Sequence, residues 1–460
     1  MNELRKDALA IWQAGVAAVD SERLVANVLS LDSTALTIAG HSIPLDKLGR
    51  CVVVGAGKAG AGMATAVQTF FESHGLLDRL TGWVNVPADC VRPLPNIHLH
   101  PARPAGVNEP TEEGVIGSRK ILELVSELGP NDVCLVLISG GGSALLPCPI
   151  EGISLTDKKA VTRFLMQSGA TIEELNLVRK QLSQIKGGGL ARSSTAGCTI
   201  SLIISDVIGD PLDIIASGPT VADSSTPTGA IGVLEKFDPQ HQAVPKPVWQ
   251  VLHQFEQVFQ PQPIPASVHN HIIGNNRVAI EAAAKHAQAL GYKIDVLGTN
   301  DAGVAHEVGR ELARRCDEFR KSATENEPKH CWLSGGEPVV HLTPTDLPRK
   351  GGRNQELALA ALLELWDIGM EHVVILSGGT DGEDGPTDAA GAIADAQTRE
   401  HAIRSQLDPQ DFLAINNSYP FFAQTNSLIQ TGPTHTNVMD LRVALWNPVS
   451  PHLFNDPIDS

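Results

Sequence analysis

The sequence predicts an α/β protein of two domains, on three observations. Short apolar runs end in glycine clusters and lead into helix-patterned stretches throughout the chain, the signature of strands feeding loops at the carboxyl edge of a largely parallel sheet. The 460 residues exceed the roughly 100–200 expected of one domain. A chain that is 42% hydrophobic and 19% charged is globular, and its 42 glycines beside 4% aromatic residues call for many tight backbone turns.

Taken in order, the N-terminal MNELRKDALAIWQAG places apolar residues at helical spacing among charges. It has no continuous apolar core of a leader, and no later apolar run approaches ~18 residues, so neither secretion nor a membrane span is expected. Four strand-to-loop units then centre on 51–54, 83–86, 133–138 and 199–204. Between the third and fourth lies a helical stretch in which Thr171 and Glu174 have capping-box spacing, and Gly187-Gly188-Gly189 ends it. From Pro239 the chain is rich in Pro and Gln and lacks strand-to-loop signals. The boundary is expected there, with a first domain of 1–240, a linker of 241–266 and a second α/β region of 267–460. In the second region strands are expected at 271–273, 294–297, 331–333 and 373–376, and helices at 278–290 and 354–365.

Composition excludes several functions. A formal net charge of −17 opposes non-specific binding to nucleic acid or anionic membrane. The seven cysteines are scattered, odd in number and without a C-x-x-C pair, which fits neither a disulfide framework nor a zinc site and points to a reducing cytoplasm. There is no Walker A loop, no G-x-S-x-G and no H-E-x-x-H, and the acidic loop near residue 381 does not match an EF-hand.

The chemistry is expected at the strand ends. Gly55-Ala56-Gly57-Lys58-Ala59-Gly60 is a G-x-G-x-x-G between a strand and a helix, where small residues let backbone N–H groups approach an anion. Spacing alone suggests a dinucleotide. The acidic residue expected about 20 positions on is misplaced, however, with Asp89 lying beyond Pro87, and Lys58 sits within the loop. An ammonium there suits a carboxylate or a moving phosphoryl group, although a tight turn with an exposed lysine reads the same. Ser139-Gly140-Gly141-Gly142-Ser143 offers a second N–H-rich concavity, or simply a serine-capped helix start. In Ser205-Asp206-Val207-Ile208-Gly209-Asp210-Pro211, Asp206 could accept a hydroxyl proton or hold Mg²⁺, and Asp210 could merely open a turn.

Further along, Gly351-Gly352-Arg353-Asn354 starts a helix with a cation where the helix dipole disfavours one, so an anion is expected beside Arg353, whether a ligand or a salt-bridged acid. The phrase Ser-Gly-Gly recurs at Ser334 and Ser377, and the latter leads into Asp381, Glu383 and Asp384, a candidate Mg²⁺ or ribose site. The polar loop 431–440 precedes an apolar run that reads as a final strand.

Together VVVGAGKAGAGMA, LISGGGSALL, VRKQLSQIKGGGLA, LIISDVIGDPLDIIASGPT, SGGEPVVHL, GGRNQELALA, SGGTDGEDGPTDAAGA and THTNVMDL resemble, in order and over nearly the whole chain, the glycerate 2-kinase family with a C-terminal MOFRL domain. The resemblance implies a Rossmann-like N-terminal domain, a C-terminal α/β MOFRL domain and an active site in the cleft between them. It also implies ATP- and Mg²⁺-dependent phosphorylation of D-glycerate at O2. By position, Lys58, Arg353 and Asp206 are the implied catalytic residues, and Gly57, Ser139, Gly141, Gly142 and Ser143 the implied substrate site. Gly335, Gly336, Glu337, Ser377, Gly379, Thr380, Asp381 and Asn437 are implied for ATP, with Asp381 and Asp384 for the metal. Members have also carried the label hydroxypyruvate reductase, so an NAD(P)H-dependent reductase is the competing reading, followed by a non-catalytic nucleotide- or sugar-acid-binding protein. Homo-oligomerisation is left open.

Overall fold

Most of the apolar runs become strands buried on both faces, in two large sheets, while the runs at 271–273 and 294–297 are partly exposed. A computed structural model describes residues 3–107, 109–260, 262–324 and 326–448 and divides the chain into two units, Ser21–Gly274 and a discontinuous Met1–Asp20 plus Asn275–Ser460.

In Ser21–Gly274 a small antiparallel sheet, β1 (Leu29–Leu31), β2 (Ala35–Ile38) and β3 (His41–Pro44), precedes the main one. The main sheet comprises β4 (Cys51–Ala56), β5 (Leu80–Pro87), β6 (Ile97–Arg103), β7 (Val133–Ile138), β8 (Cys198–Ile204) and β9 (Val268–Gly274). Every neighbouring pair is parallel, and the spatial order is β6-β5-β4-β7-β8-β9. The continuous Val/Ile/Leu character of β4 and β7 follows from this, since a parallel sheet is covered on both faces. On one face Val52, Val54 and Val136 pack with Ile121 and Val125 of helix Glu112–Ser126. From β4 the chain winds outward through β5 and β6, then returns to β7 on the other side. The chain order therefore reverses between β4 and β7, and open α/β sheets receive ligands beyond the carboxyl ends of the strands at such a point.

A helical insert, Leu155–Gln167, Ile172–Gln181, Pro227–Phe237 and Lys246–Val258, carries its own apolar core of Val161, Leu165, Val178, Leu234, Trp249 and Leu252. The capping box at Thr171 and Glu174 is present as the spacing predicts. The stretch read as linker, 241–266, is not one. It contains helix Lys246–Val258, whose Trp249 and Leu252 are buried in the insert core, and the chain goes on into β9 of the same sheet. Pro245 and Pro247 open the helix, where a missing N–H costs nothing, and its glutamines include outward-facing ones. The division falls after Gly274, and the strand expected at 271–273 closes the first sheet rather than starting the second.

The second unit holds β10 (Lys293–Asp301), β11 (His330–Gly336), β12 (Val373–Gly379), β13 (Gly391–Asp395), β14 (Leu428–Ile429) and β15 (Asp440–Trp446), in the order β10-β11-β15-β12-β13-β14. Only β10 and β11 pair in parallel, so the sheet is mixed. The N-terminal helix Glu3–Ala18 belongs to this unit, with Ile11 and Trp12 buried among Val374, Leu376 and Leu441. All seven cysteines are free thiols, and among the described residues no helix is long and apolar enough to cross a membrane.

Candidate active site

The G-x-G-x-x-G of β4 is built to meet β7. Gly55 and Gly57 take φ of +151° and +155°, and a Cβ would lie 1.9 Å from the Leu137 carbonyl oxygen in one case and from Ser139 Oγ in the other. The glycines serve this close approach of two loops, which explains the spacing without a dinucleotide. Lys58 N donates to Gly140 O at 2.9 Å, Ser139 N to Ala56 O at 3.2 Å, and Ala59 N to Ser139 Oγ at 3.0 Å. Gly57, Lys58, Ser139, Gly141, Gly142 and Ser143 are thus brought together beyond the carboxyl ends of β4 and β7. The Lys58 stem and the Arg103 guanidinium both flank Gly141.

A cavity of about 790 Å³ opens along this loop. Its wall includes Ser139, Gly141, Gly142, Ser143 and Asp206. Asp210 lies outside that wall, in a left-handed turn whose N–H donates to Val207 O. The helical insert and the turn that follows helix Ile172–Gln181 add three cations that the sequence reading missed. Lys186 Nζ donates to Ser143 O at 2.8 Å and Ser143 Oγ at 2.7 Å, Arg179 donates to the same hydroxyl, and Lys158 Nζ donates to Leu182 O at 3.0 Å. Burial, joined by the charge of Arg179, lowers Lys158 to about 7 and holds Lys186 well below the usual lysine range. Burial also lowers Arg179. The available signal was a lysine immediately before three glycines in QIKGGGLA. Its neighbour Lys180 is ordinary by comparison, paired with Asp213 and Asp223 at 3.3 Å each.

In the second unit, Arg353 opens helix Arg353–Glu364, and the expected anion is supplied by the protein. Buried Asp440 accepts from Arg353 Nε at 2.8 Å and NH2 at 3.0 Å, and Glu337 pairs with NH1 at 3.1 Å. Burial opposes the charge, but Asp440 outweighs it and holds Arg353 above the ordinary arginine value. Asp384 caps the same helix, accepting from Asn354 N at 3.0 Å and Gln355 N at 2.8 Å. Burial raises its carboxyl to about 7, helped by Asp440 and opposed by those two N–H donors. Asp384 is therefore spent as a cap, which leaves Asp381 as the metal candidate of the pair.

Several groups implied for ATP are also occupied internally. Ser377 Oγ donates to Asn354 Oδ1 at 2.6 Å, Thr380 Oγ1 to Met439 O at 2.7 Å, and Asn437 Oδ1 accepts from Met439 N at 3.1 Å. A Cβ on Gly335 would strike Asn276, and one on Gly336 the Asp301 carbonyl. Gly379 packs against the carbonyl of Glu383 and the carboxylate of Asp381.

Residues 7–253 match the family described as a domain of unknown function (DUF4147), and residues 330–440 match the MOFRL family. Glycerate kinase of Danio rerio is 35% identical, over 97% of this chain and 99% of the relative. The chain belongs to the glycerate kinase family. D-glycerate 2-kinase of Thermotoga maritima is 37% identical over 96% of this chain and 98% of its own. The crystal structure of glycerate kinase from Thermotoga maritima is 35% identical and superimposes with a TM-score of 0.81, covering 96% of this chain and 99% of that one. A crystal structure from Pyrococcus horikoshii OT3, 34% identical, gives 0.82 with 98% and 100% covered. Within this glycerate kinase family member, the first match holds the cavity and the second holds Arg353, Asp384 and Asp440.

Proposed function

We propose that the chain is a glycerate 2-kinase that transfers the terminal phosphoryl group of ATP to O2 of D-glycerate with Mg²⁺. The observation that carries the reading, beyond the relatives' names, is the junction of the loops that follow β4 and β7. There the loop of Ser139–Ser143, to which the Lys58 backbone is bonded, lines a cavity with a carboxylate, Asp206, on its wall. Phosphoryl transfer asks little covalent chemistry of a protein and much positioning and charge stabilisation. Asp206 is the group to accept the hydroxyl proton. Lys58 and Arg353 are assigned to charge on the transferred group, Arg353 being oriented by its two-point contact with Asp440.

Among the described residues no group of three or more His, Cys, Asp or Glu is placed to hold a metal ion. Mg²⁺ in a kinase typically takes one or two carboxylates and completes its shell with phosphate oxygens and water. Asp381 is the carboxylate proposed for it, and bound Mg²⁺ would supply neutralisation of phosphate charge. The reductase reading loses its main support, because Gly55 and Gly57 are explained by packing on β7. Mixing the protein with ATP, Mg²⁺ and D-glycerate should release ADP, and NADH with hydroxypyruvate should stay unoxidised. NADH consumption without ADP release would reverse the assignment.

A further inference from the structure

We infer that the cavity in Ser21–Gly274 is the nucleotide pocket, with the phosphate chain on Ser143, Arg179, Lys186 and Lys158 and the base against Met166, Ile172 and Leu175. The inference rests on the kinase reading for its choice of ligand, and on the cavity itself for its chemistry. Lys158 and Lys186 are only 5% and 2% exposed. The partners of the three cations are carbonyl, hydroxyl and side-chain amide oxygens. Among the described residues no carboxylate offsets any of them, and Arg179 bears on both lysines with like charge. The cavity wall carries two acids, Asp206 and Glu109; neither is paired with Lys158, Arg179 or Lys186, and Glu109 is engaged by Lys159 and Arg163.

Burying adjacent cations without a counter-charge is costly, and an anionic ligand removes the cost. The number of charges decides which anion. One carboxylate offsets one cation, whereas a di- or triphosphate carries about three or four negative charges and can engage two lysines, a guanidinium fork and a hydroxyl together.

Size and polarity agree. A cavity of about 790 Å³ lies within the roughly 300–1,000 Å³ that holds drug-sized ligands, far more than a three-carbon acid requires. Beside the cationic floor the wall is apolar, and Met166 and Ile172 are left 64% and 51% exposed there. A flat heterocycle would cover them. The loops of the second unit are poorer candidates for the phosphates, because the Ser377 and Thr380 hydroxyls are buried and already bonded, and Glu337 is an acid paired with Arg353.

Titration calorimetry on the full chain tests this with ADP, inorganic tripolyphosphate and D-glycerate as separate probes. ADP should bind without glycerate. Arg179→Met and Lys186→Met should each weaken ADP and tripolyphosphate by at least about tenfold, the scale of a lost charge-assisted contact. Ile172→Asp at the cavity mouth should weaken ADP while leaving tripolyphosphate within about twofold, and it guards against a buried variant that fails to fold. No ADP binding by the wild type, unchanged ADP affinity in all three variants, or loss confined to D-glycerate would each overturn the assignment. If ADP binds as described but no phosphoryl group reaches glycerate, the kinase reading falls and the pocket stands. If glycerate is phosphorylated and the variants bind ADP normally, the reverse holds.

Discussion

Lys58 lies on the loop that joins β4 to the next helix, its backbone tied to Gly140 and its stem beside Gly141. A cation that acts on the transferred group contributes in the transition state, so Lys58→Ala should lower kcat by about 10²-fold or more and leave thermal stability within about 1 kcal/mol. Lys58→Arg should rescue poorly, because a guanidinium is larger and planar within a loop of small residues. A rise confined to KM for glycerate would make Lys58 a carboxylate anchor, and wild-type kinetics would make it a turn lysine. This residue, Ser139, Ser143 and Asp206 were legible in the sequence because glycine clusters and strand ends mark the carboxyl edge of a parallel sheet. Lys158, Arg179 and Lys186 were not. They come from a helical insert and the turn after it, whose place beside the sheet is set by tertiary packing, and no periodicity separates Arg179 in the cavity from Lys180 in an ion pair.

The start of helix Arg353–Glu364 shows how one element is held. The sequence showed a cation at the unfavourable end of a dipole and so required an anion nearby. The structure supplies two carboxylates, Asp440 against the guanidinium and Asp384 across the first N–H groups. Neither pairing was readable, since each joins positions far apart in the chain. Asp384→Ala should remove the cap and cost about 1–2 kcal/mol, read as a lower Tm without added ligand. The pH dependence has a definite sign. Burial raises the folded carboxyl to about 7, above its unfolded value, so its contribution is full at low pH and is lost as pH rises through about 7. The Tm gap between wild type and Asp384→Ala should accordingly be wider at pH 5 than at pH 8. An unchanged Tm with an altered Mg²⁺ requirement would return Asp384 to the metal.

At the scale of the whole chain, the α/β class and most strands of both sheets were legible, and the division between units was not. Helix Glu3–Ala18 opens the sequence yet packs in the second unit, through Trp12 and Ile11, and no local signal announces a contact across some 360 residues. The Pro- and Gln-rich stretch imitated a linker although Pro245 and Pro247 sit at a helix start. Since Ser21–Gly274 is contiguous and has its own cores, that fragment expressed alone should unfold cooperatively on heating; a broad, non-cooperative transition would show that it depends on the rest of the chain. The central claim, phosphorylation of glycerate at O2, is tested most directly by coupling the reaction to enolase, pyruvate kinase and lactate dehydrogenase with phosphoglycerate mutase left out. Immediate NADH oxidation that depends on D-glycerate and ATP is the predicted result, and a signal that appears only after mutase is added, or never, would contradict it.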